Sequence, residues 1–221
     1  MDTGTVFWKY KNIRGKYYGI SHHTRPSQCR NMASTGRISI AVGASNFCVD
    51  SSENQCSNPK LPTLLLLHGF PTSSWDWLPI WEGLAESYRV IAFDMLGFGF
   101  SDKPNNPRYI IHAQANIVEA LVTSKRLERF HVLAHDYGDS VAQELLARQL
   151  EGKGAGEWLS CCFLNGGLFP ETHRALLIQK LLLSPIGGWL NYFNGYAKFC
   201  RSFSSVFGRD SKPSEQQLTD F

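Results

Sequence analysis

The sequence predicts a doubly wound α/β domain on a mostly parallel sheet. Two observations predict it. From Thr63 onward, unbroken apolar runs of strand length (TLLLLHG, YRVIAFDM, RFHVLAHDYG, LSCCFLNGG) end in turns, most of them glycine-containing. Between them lie segments of helical length: SWDWLPIWEGLAES, IHAQANIVEALVTSKR and DSVAQELLARQLEG. Strands read as continuous apolar runs when both faces are covered, and strand–helix–strand alternation implies parallel pairing through right-handed crossovers.

The elements before Thr63 follow a different rhythm. Aromatic and basic residues alternate in VFWKYKNIRGKYYGIS, which suits two short antiparallel strands turning near Asn12 to Gly15. Residues 21–37 lose periodicity and read as a loop. RISIAVGA recovers strand character, and NFCVDSSENQCSNPK reads as a polar connection ending at Pro59. The expected organisation is therefore residues 1–60 as N-terminal strands and irregular loops, 61–168 as the α/β core, and 169–221 as a further, helical unit. All four strand-like runs from Thr63 on, including LSCCFLNGG, are expected to be buried.

Composition sets bounds on function. A chain of 221 residues that is 43% hydrophobic and 19% charged can bury a substantial core. Its net charge of +3 is concentrated in residues 1–40, which hold seven Lys or Arg against Asp2, yet no nucleic-acid motif accompanies them. A solvated basic face is expected and nucleic acid is not. The six cysteines form no CxxC pair and no His stands at zinc spacing, so neither a metal site, a cofactor nor a disulfide framework is expected. No stretch reaches the ~20 apolar residues needed to span a bilayer. Leu176 to Leu190 is the best membrane-facing segment, but Gln179, Lys180 and the Ser184-Pro185 break favour a helix packed on the domain. Peripheral membrane association is the most that follows.

Ligands of a parallel sheet gather at the carboxyl ends of its strands. Three turns occupy those ends: His68-Gly69-Phe70-Pro71, the Gly-rich turn from Asp94 to Asp102, and Ala134-His135-Asp136-Tyr137-Gly138. The last has the small-x-nucleophile-x-small form of a nucleophile elbow, with Ala134 and Gly138 as the small residues. It raises Asp136 above the sheet at a helix start, where the dipole favours an anion. An ionised carboxylate needs no base to attack an electrophilic carbon, and the product is a covalent ester. Hydrolysis of that ester passes through an oxyanion, for which the Tyr137 and Phe70 N–H groups stand in the right places. His135 precedes the nucleophile and is expected to point away from it. His68 is expected to stabilise its own turn, Asp94 and Asp102 to form turns, and Asp139 to complement the helix dipole.

HGFP, DMLGFGFSDKP and AHDYG, in that order and near those separations, resemble the α/β-hydrolases with an aspartate nucleophile, namely epoxide hydrolases and haloalkane dehalogenases. The resemblance runs from about Thr63 to Leu218 and implies that Asp136 is the nucleophile, with Phe70 and Tyr137 as oxyanion donors. It further implies a small hydrophobic substrate and a helical cap that begins after the LSCCFLNGG strand. Dehalogenases of this group commonly carry Trp after the nucleophile and Asn in the HGxP loop; Tyr137 and Phe70 stand there instead, which favours the epoxide-hydrolase type. Epoxide hydrolases protonate the epoxide oxygen with cap tyrosines, a role for which Tyr192 and Tyr196 are candidates. Glu171 and His173 precede the place where the family's base belongs.

In that family the acid and the histidine follow later strands. Phe221 falls inside the expected cap, and Asn165, at an alternative position for the acid, cannot ionise. The expectation is a C-terminally incomplete hydrolase that forms the ester but lacks a base to hydrolyse it, or a non-catalytic binding protein. Its LSCCFLNGG strand would present an open edge able to self-associate. The resemblance also implies an endoplasmic-reticulum membrane location, while the missing apolar N-terminal segment points to the cytoplasm.

Overall fold

The computed structural model describes residues 7–11, 17–21, 36–40, 44–53, 61–105 and 109–167, with shorter stretches at 184–185, 196–205, 207–209, 212–214 and 218. Strands β1 (Phe7–Lys11) and β2 (Tyr17–Ser21) form an antiparallel pair in which Phe7 faces Ser21 and Lys11 faces Tyr17. The other six strands form one sheet: β3 (Gly36–Ile40), β4 (Ala44–Asp50), β5 (Thr63–Leu67), β6 (Arg89–Phe93), β7 (Arg129–His135) and β8 (Glu157–Leu164). Their spatial order is β3-β4-β6-β5-β7-β8. The last four are parallel, whereas β4 runs antiparallel to β3 and β6.

Both faces of the sheet are covered. On β5, Leu65 and Leu67 join one core with Ile91, Phe93, Val132 and Ala134, while Leu64 and Leu66 join the other with Val90 and Ala92. The first core is closed by α2 (Ile111–Ser124) and α3 (Tyr137–Leu150), through Ala115, Val118, Leu121 and Val122 of α2 and Val141, Ala142 and Leu145 of α3. That three-and-four spacing is the apolar stripe of a surface helix. The second is closed by Trp77, Trp81 and Ala85, from a 3-10 turn (Ser74–Trp77) and α1 (Leu78–Ala85). The Ser73 side chain caps this turn by accepting the Trp75 N–H at 3.3 Å, and Pro79 stands in the first turn of α1, where its missing N–H is harmless. A further helix, α4 (Tyr196–Ser204), lies in the segment expected to start the cap.

Two expectations are corrected. The polar connection read into NFCVDSSENQCSNPK begins instead as strand β4, as far as Asp50, where Asn46 and Asp50 are buried because each finds partners. Asn46 donates to the Asp94 carbonyl at 3.2 Å and to Ser101 Oγ at 3.3 Å. Asp50 receives Arg89 at 2.6 Å, Lys125 at 3.2 Å and the Ser52 hydroxyl at 2.7 Å. Hydropathy cannot see a strand whose polar groups are satisfied from neighbouring elements. The second correction is β8, expected to be buried. It lies at the end of the sheet with alternate residues exposed, and only β7 pairs with it among the described residues.

A register shift opposite Phe130 and His131 leaves Leu159 without a partner on β7, a β-bulge. Trp158, Cys161 and Phe163 nevertheless all pack on the first core. Among the described residues Cys48, Cys161, Cys162 and Cys200 take part in no disulfide. No described helix is long and apolar enough to cross a membrane, and no described cluster of His, Cys, Asp or Glu could hold a metal ion.

Burial pushes the Asp50 carboxyl up, but hydrogen bonds from Arg89 and Ser52 more than offset it and hold the pKa at about 2 against an ordinary 3.8. A depressed carboxylate stabilises the fold above its unfolded pKa and loses that contribution as pH falls through the folded value. Asp50→Asn should therefore destabilise the protein by about 2 kcal/mol at neutral pH. Urea unfolding should show the gap from wild type closing between pH 4 and pH 2.

Candidate active site

Three connections converge at the carboxyl ends of β5, β6 and β7. Asp136, between β7 and α3, has φ 52° and ψ −111°, outside the usual range of a residue with a side chain. Such a conformation costs on the order of 1–3 kcal/mol and persists only where surrounding contacts impose it. Those contacts are visible. The Asp136 N–H donates to the Leu164 carbonyl of β8 at 3.0 Å. Gly138 lies so close to β5 that a Cβ would collide with the Leu67 and His68 carbonyls. The first turn of α3 therefore crosses directly over the end of β5, as the small residue at this position requires. Ala134, the other small residue, is fully buried.

The loop after β5 meets the elbow. The Phe70 N–H donates to Asp136 Oδ1 at 2.8 Å. Gly69 makes this approach possible, because a Cβ there would stand 2.9 Å from both Asp136 Cβ and His135 Nδ1. Tyr137 is the first residue of α3, so its N–H has no carbonyl partner within the helix. The Phe70–Pro71 bond is cis.

His68 locks the loop to the next connection. Its Nε2 accepts the Met95 N–H at 2.9 Å, and its Nδ1 lies 2.8 Å from the Gly69 carbonyl. An N–H can only donate and a carbonyl can only accept, so the ring is neutral with its proton on Nδ1. Complete burial pushes its pKa down, in the same direction. Asp94 works similarly, accepting the Ser74 N–H on Oδ1 at 2.8 Å and the Phe100 N–H on Oδ2 at 2.7 Å. Gln114 of α2 holds both backbone groups of Leu96, at 3.1 and 2.8 Å. Asp102 accepts the Ser45 N–H at 2.8 Å.

An aromatic wall lines one side. Phe98 packs edge-on to Phe70 (6.0 Å between centroids) and to His68 (5.4 Å), and lies 5.8 Å from Tyr137. Phe70 is 67% exposed, an apolar surface beside a carboxylate. Burial pushes the Tyr137 hydroxyl up, keeping it protonated. On the other side of Gly69, His135 stacks edge-on to Trp77, with Nδ1 3.9 Å from Asp76 Oδ2. Asp139 stands in the first turn of α3 and is buried. Gly166 leaves the space for it, its Oδ1 accepts the Leu164 N–H at 3.4 Å, and burial pushes its pKa up.

Asp136, Phe70, Tyr137, Ala134, His135 and Gly138 are thus brought together. Tyr192, Glu171 and His173 lie outside the described residues; Tyr196 begins α4, but its side chain lies outside them too. Sequence reasoning missed Asp76, Gln114 and Phe98. Gln114 is the one polar residue in the buried stripe of α2, a signal that could have been read.

Residues 62–204 match the family model described as the alpha/beta hydrolase fold. The chain belongs to this family. It is similar to the mesoderm-specific transcript homolog protein of Bos taurus, 52% identical over 196 residues, covering 85% of this chain and 57% of that protein. The chain thus spans little more than half the length of this relative. Among solved structures, haloalkane dehalogenase DbeA from Bradyrhizobium elkani USDA94 is similar with a TM-score of 0.68 at 23% identity, covering 84% of this chain and 61% of that one. Epoxide hydrolase CorEH is similar with a TM-score of 0.59 at 22% identity, covering 80% and 64%. Likeness at that identity establishes the hydrolase fold, and the chemistry must be argued from the site.

The crossing of α3 over β5 tolerates no side chain. Gly138→Ala should destabilise the chain by at least about 3 kcal/mol, measured by denaturant unfolding, because a backbone carbonyl cannot step aside as a side chain would.

Proposed function

We propose that the protein is a hydrolase of the epoxide-hydrolase type, with Asp136 as nucleophile. The observation that carries this reading is the 2.8 Å bond from the Phe70 N–H to Asp136 Oδ1. It leaves Oδ2 as the attacking oxygen. Oδ2 bonds to an epoxide carbon, the carbon–oxygen bond of the ring breaks, and the released oxygen takes a proton. That proton comes from a cap acid, for which Tyr192 and Tyr196 are the candidates. Oδ1 is then the carbonyl oxygen of the ester and already faces a backbone donor. When water attacks the ester carbon, the developing negative charge falls on Oδ1, with the Phe70 and Tyr137 N–H groups to receive it.

Attack uses groups the chain holds at Asp136. Ester hydrolysis further needs a base, which the family resemblance puts after a later strand, and which contributes typically 10²–10⁴-fold. The exposed Phe70 ring with Phe98 and Tyr137 supports a small hydrophobic substrate. Tyr137 and Phe70 hold the positions at which dehalogenases of this group commonly carry Trp and Asn, which favours epoxide opening over halide displacement.

Incubation of the 221-residue chain with 1,2-epoxyhexane, styrene oxide and 1-bromohexane, followed by intact mass and peptide mapping, tests the reading. The expected result is one epoxide mass on the peptide bearing Asp136, absent from Asp136→Asn. No adduct from either epoxide would overturn it, and preferential alkylation by the bromide would move the assignment to dehalogenation.

A further inference from the structure

We propose that Asp76 is a positioning residue that aims the Phe70 N–H at Asp136 by holding the Gly69–Phe70 backbone from behind. The inference rests on the reading of Asp136 as nucleophile, but its geometry is separate. Asp76 lies in the 3-10 turn before α1, two connections away from the elbow in sequence, and its carboxylate turns back under the β5 loop. The Thr72 hydroxyl donates to Asp76 Oδ2. The same hydroxyl lies 3.4 Å from the Gly69 carbonyl, the carbonyl of the peptide that carries the Phe70 N–H. The Gly69 carbonyl is thereby held between His68 Nδ1 and the Thr72 hydroxyl that Asp76 receives. The next N–H along the chain is that of Phe70, which reaches Asp136 Oδ1. The Gly69 carbonyl and the Phe70 N–H belong to one planar peptide, so holding the first fixes the direction of the second.

The groups facing Asp76 come from three directions. His68 of the β5 loop is locked neutral by Met95 and the Gly69 carbonyl. His135 at the end of β7 stands 3.9 Å away, and Asp136 lies across Gly69. Asp94 acts on His68 from the β6 loop. Burial pushes the Asp76 carboxyl up from 3.8, while the Thr72 hydrogen bond and the neighbouring His135 pull it down by less. Protonation therefore removes the charge that receives the Thr72 hydroxyl at a pH above that of an ordinary aspartate. The Phe70 amide should lose its alignment as pH falls through that value.

Two readouts test this on the 221-residue chain, using Asp76→Asn, which keeps the acceptor oxygen, and Asp76→Leu, which removes it. By ¹⁵N NMR, the hydrogen-exchange protection of the Phe70 amide should fall about tenfold or more in Asp76→Leu and be largely kept in Asp76→Asn. The rate of Asp136 alkylation by epoxide should follow the same order, falling about tenfold or more in Asp76→Leu. The wild-type Phe70 resonance should titrate above the ordinary aspartate range, and that step should be absent from Asp76→Asn. Unchanged Phe70 protection in Asp76→Leu would overturn the proposal, as would a titration step that survives in Asp76→Asn. If Asp76→Leu does not fold, Asp76→Asn and the wild-type titration still decide. A wild-type chain that takes up no epoxide would count against the Asp136 reading alone, since the amide measurements need no turnover.

Discussion

The first turn of α3, laid over the carboxyl end of β5, organises the site around it. Gly138 has room only for hydrogen against the Leu67 and His68 carbonyls. That contact brings the elbow within reach of the β5 loop and gives Asp136 its unusual backbone angles. It also puts the Asp136 carboxylate under the Phe70 amide. The strain at Asp136 is sustained by rigid neighbours on three sides: Gly69 of the β5 loop, Leu164 of β8, and the body of α3 anchored by Val141, Ala142 and Leu145.

The loops that surround this point would carry many unsatisfied backbone groups if left to themselves. A small set of buried polar side chains answers them. His68 spans from the β5 loop to Met95, Asp94 from β6 to Ser74 and Phe100, and Gln114 from α2 to Leu96. Ser101 donates to the Asp94 carbonyl at 2.5 Å while accepting the Phe47 N–H at 2.9 Å. Each bond contributes modestly in net terms, but loss of one partner would strand the other in a dry interior, which costs about 1–3 kcal/mol. The loops thus behave as one framework, and the aromatic wall of Phe70, Phe98 and Tyr137 is mounted on it.

Much of this could be read from the chain. The parallel strands announce themselves as apolar runs, the helices α2 and α3 by their spacing, and the turn AHDYG by its small residues. What escaped was of one kind. Asn46 and Asp50 hide β4 because their polarity is satisfied by distant partners, Asp94 and Ser101 in one case, Arg89 and Lys125 in the other. Asp76 drew no notice in the sequence and Asp139 only as an acid at a helix start, yet both lie in spaces that only tertiary packing creates. A local pattern records what a residue prefers on average, and it cannot record which remote group will meet that preference.

The bulge in β8 shows how far such placement can depend on counting. Trp158 and Cys161 are three positions apart, so in an unbroken strand they would face opposite sides of the sheet, yet both pack on the same core. The surplus Leu159 resets the alternation, and five residues later Leu164 arrives with its carbonyl against the Asp136 amide. The geometry of the elbow is therefore tied to chain length in a neighbouring strand: shortening β8 by one residue would shift its phase and withdraw the partner of Asp136 without altering any residue that touches substrate.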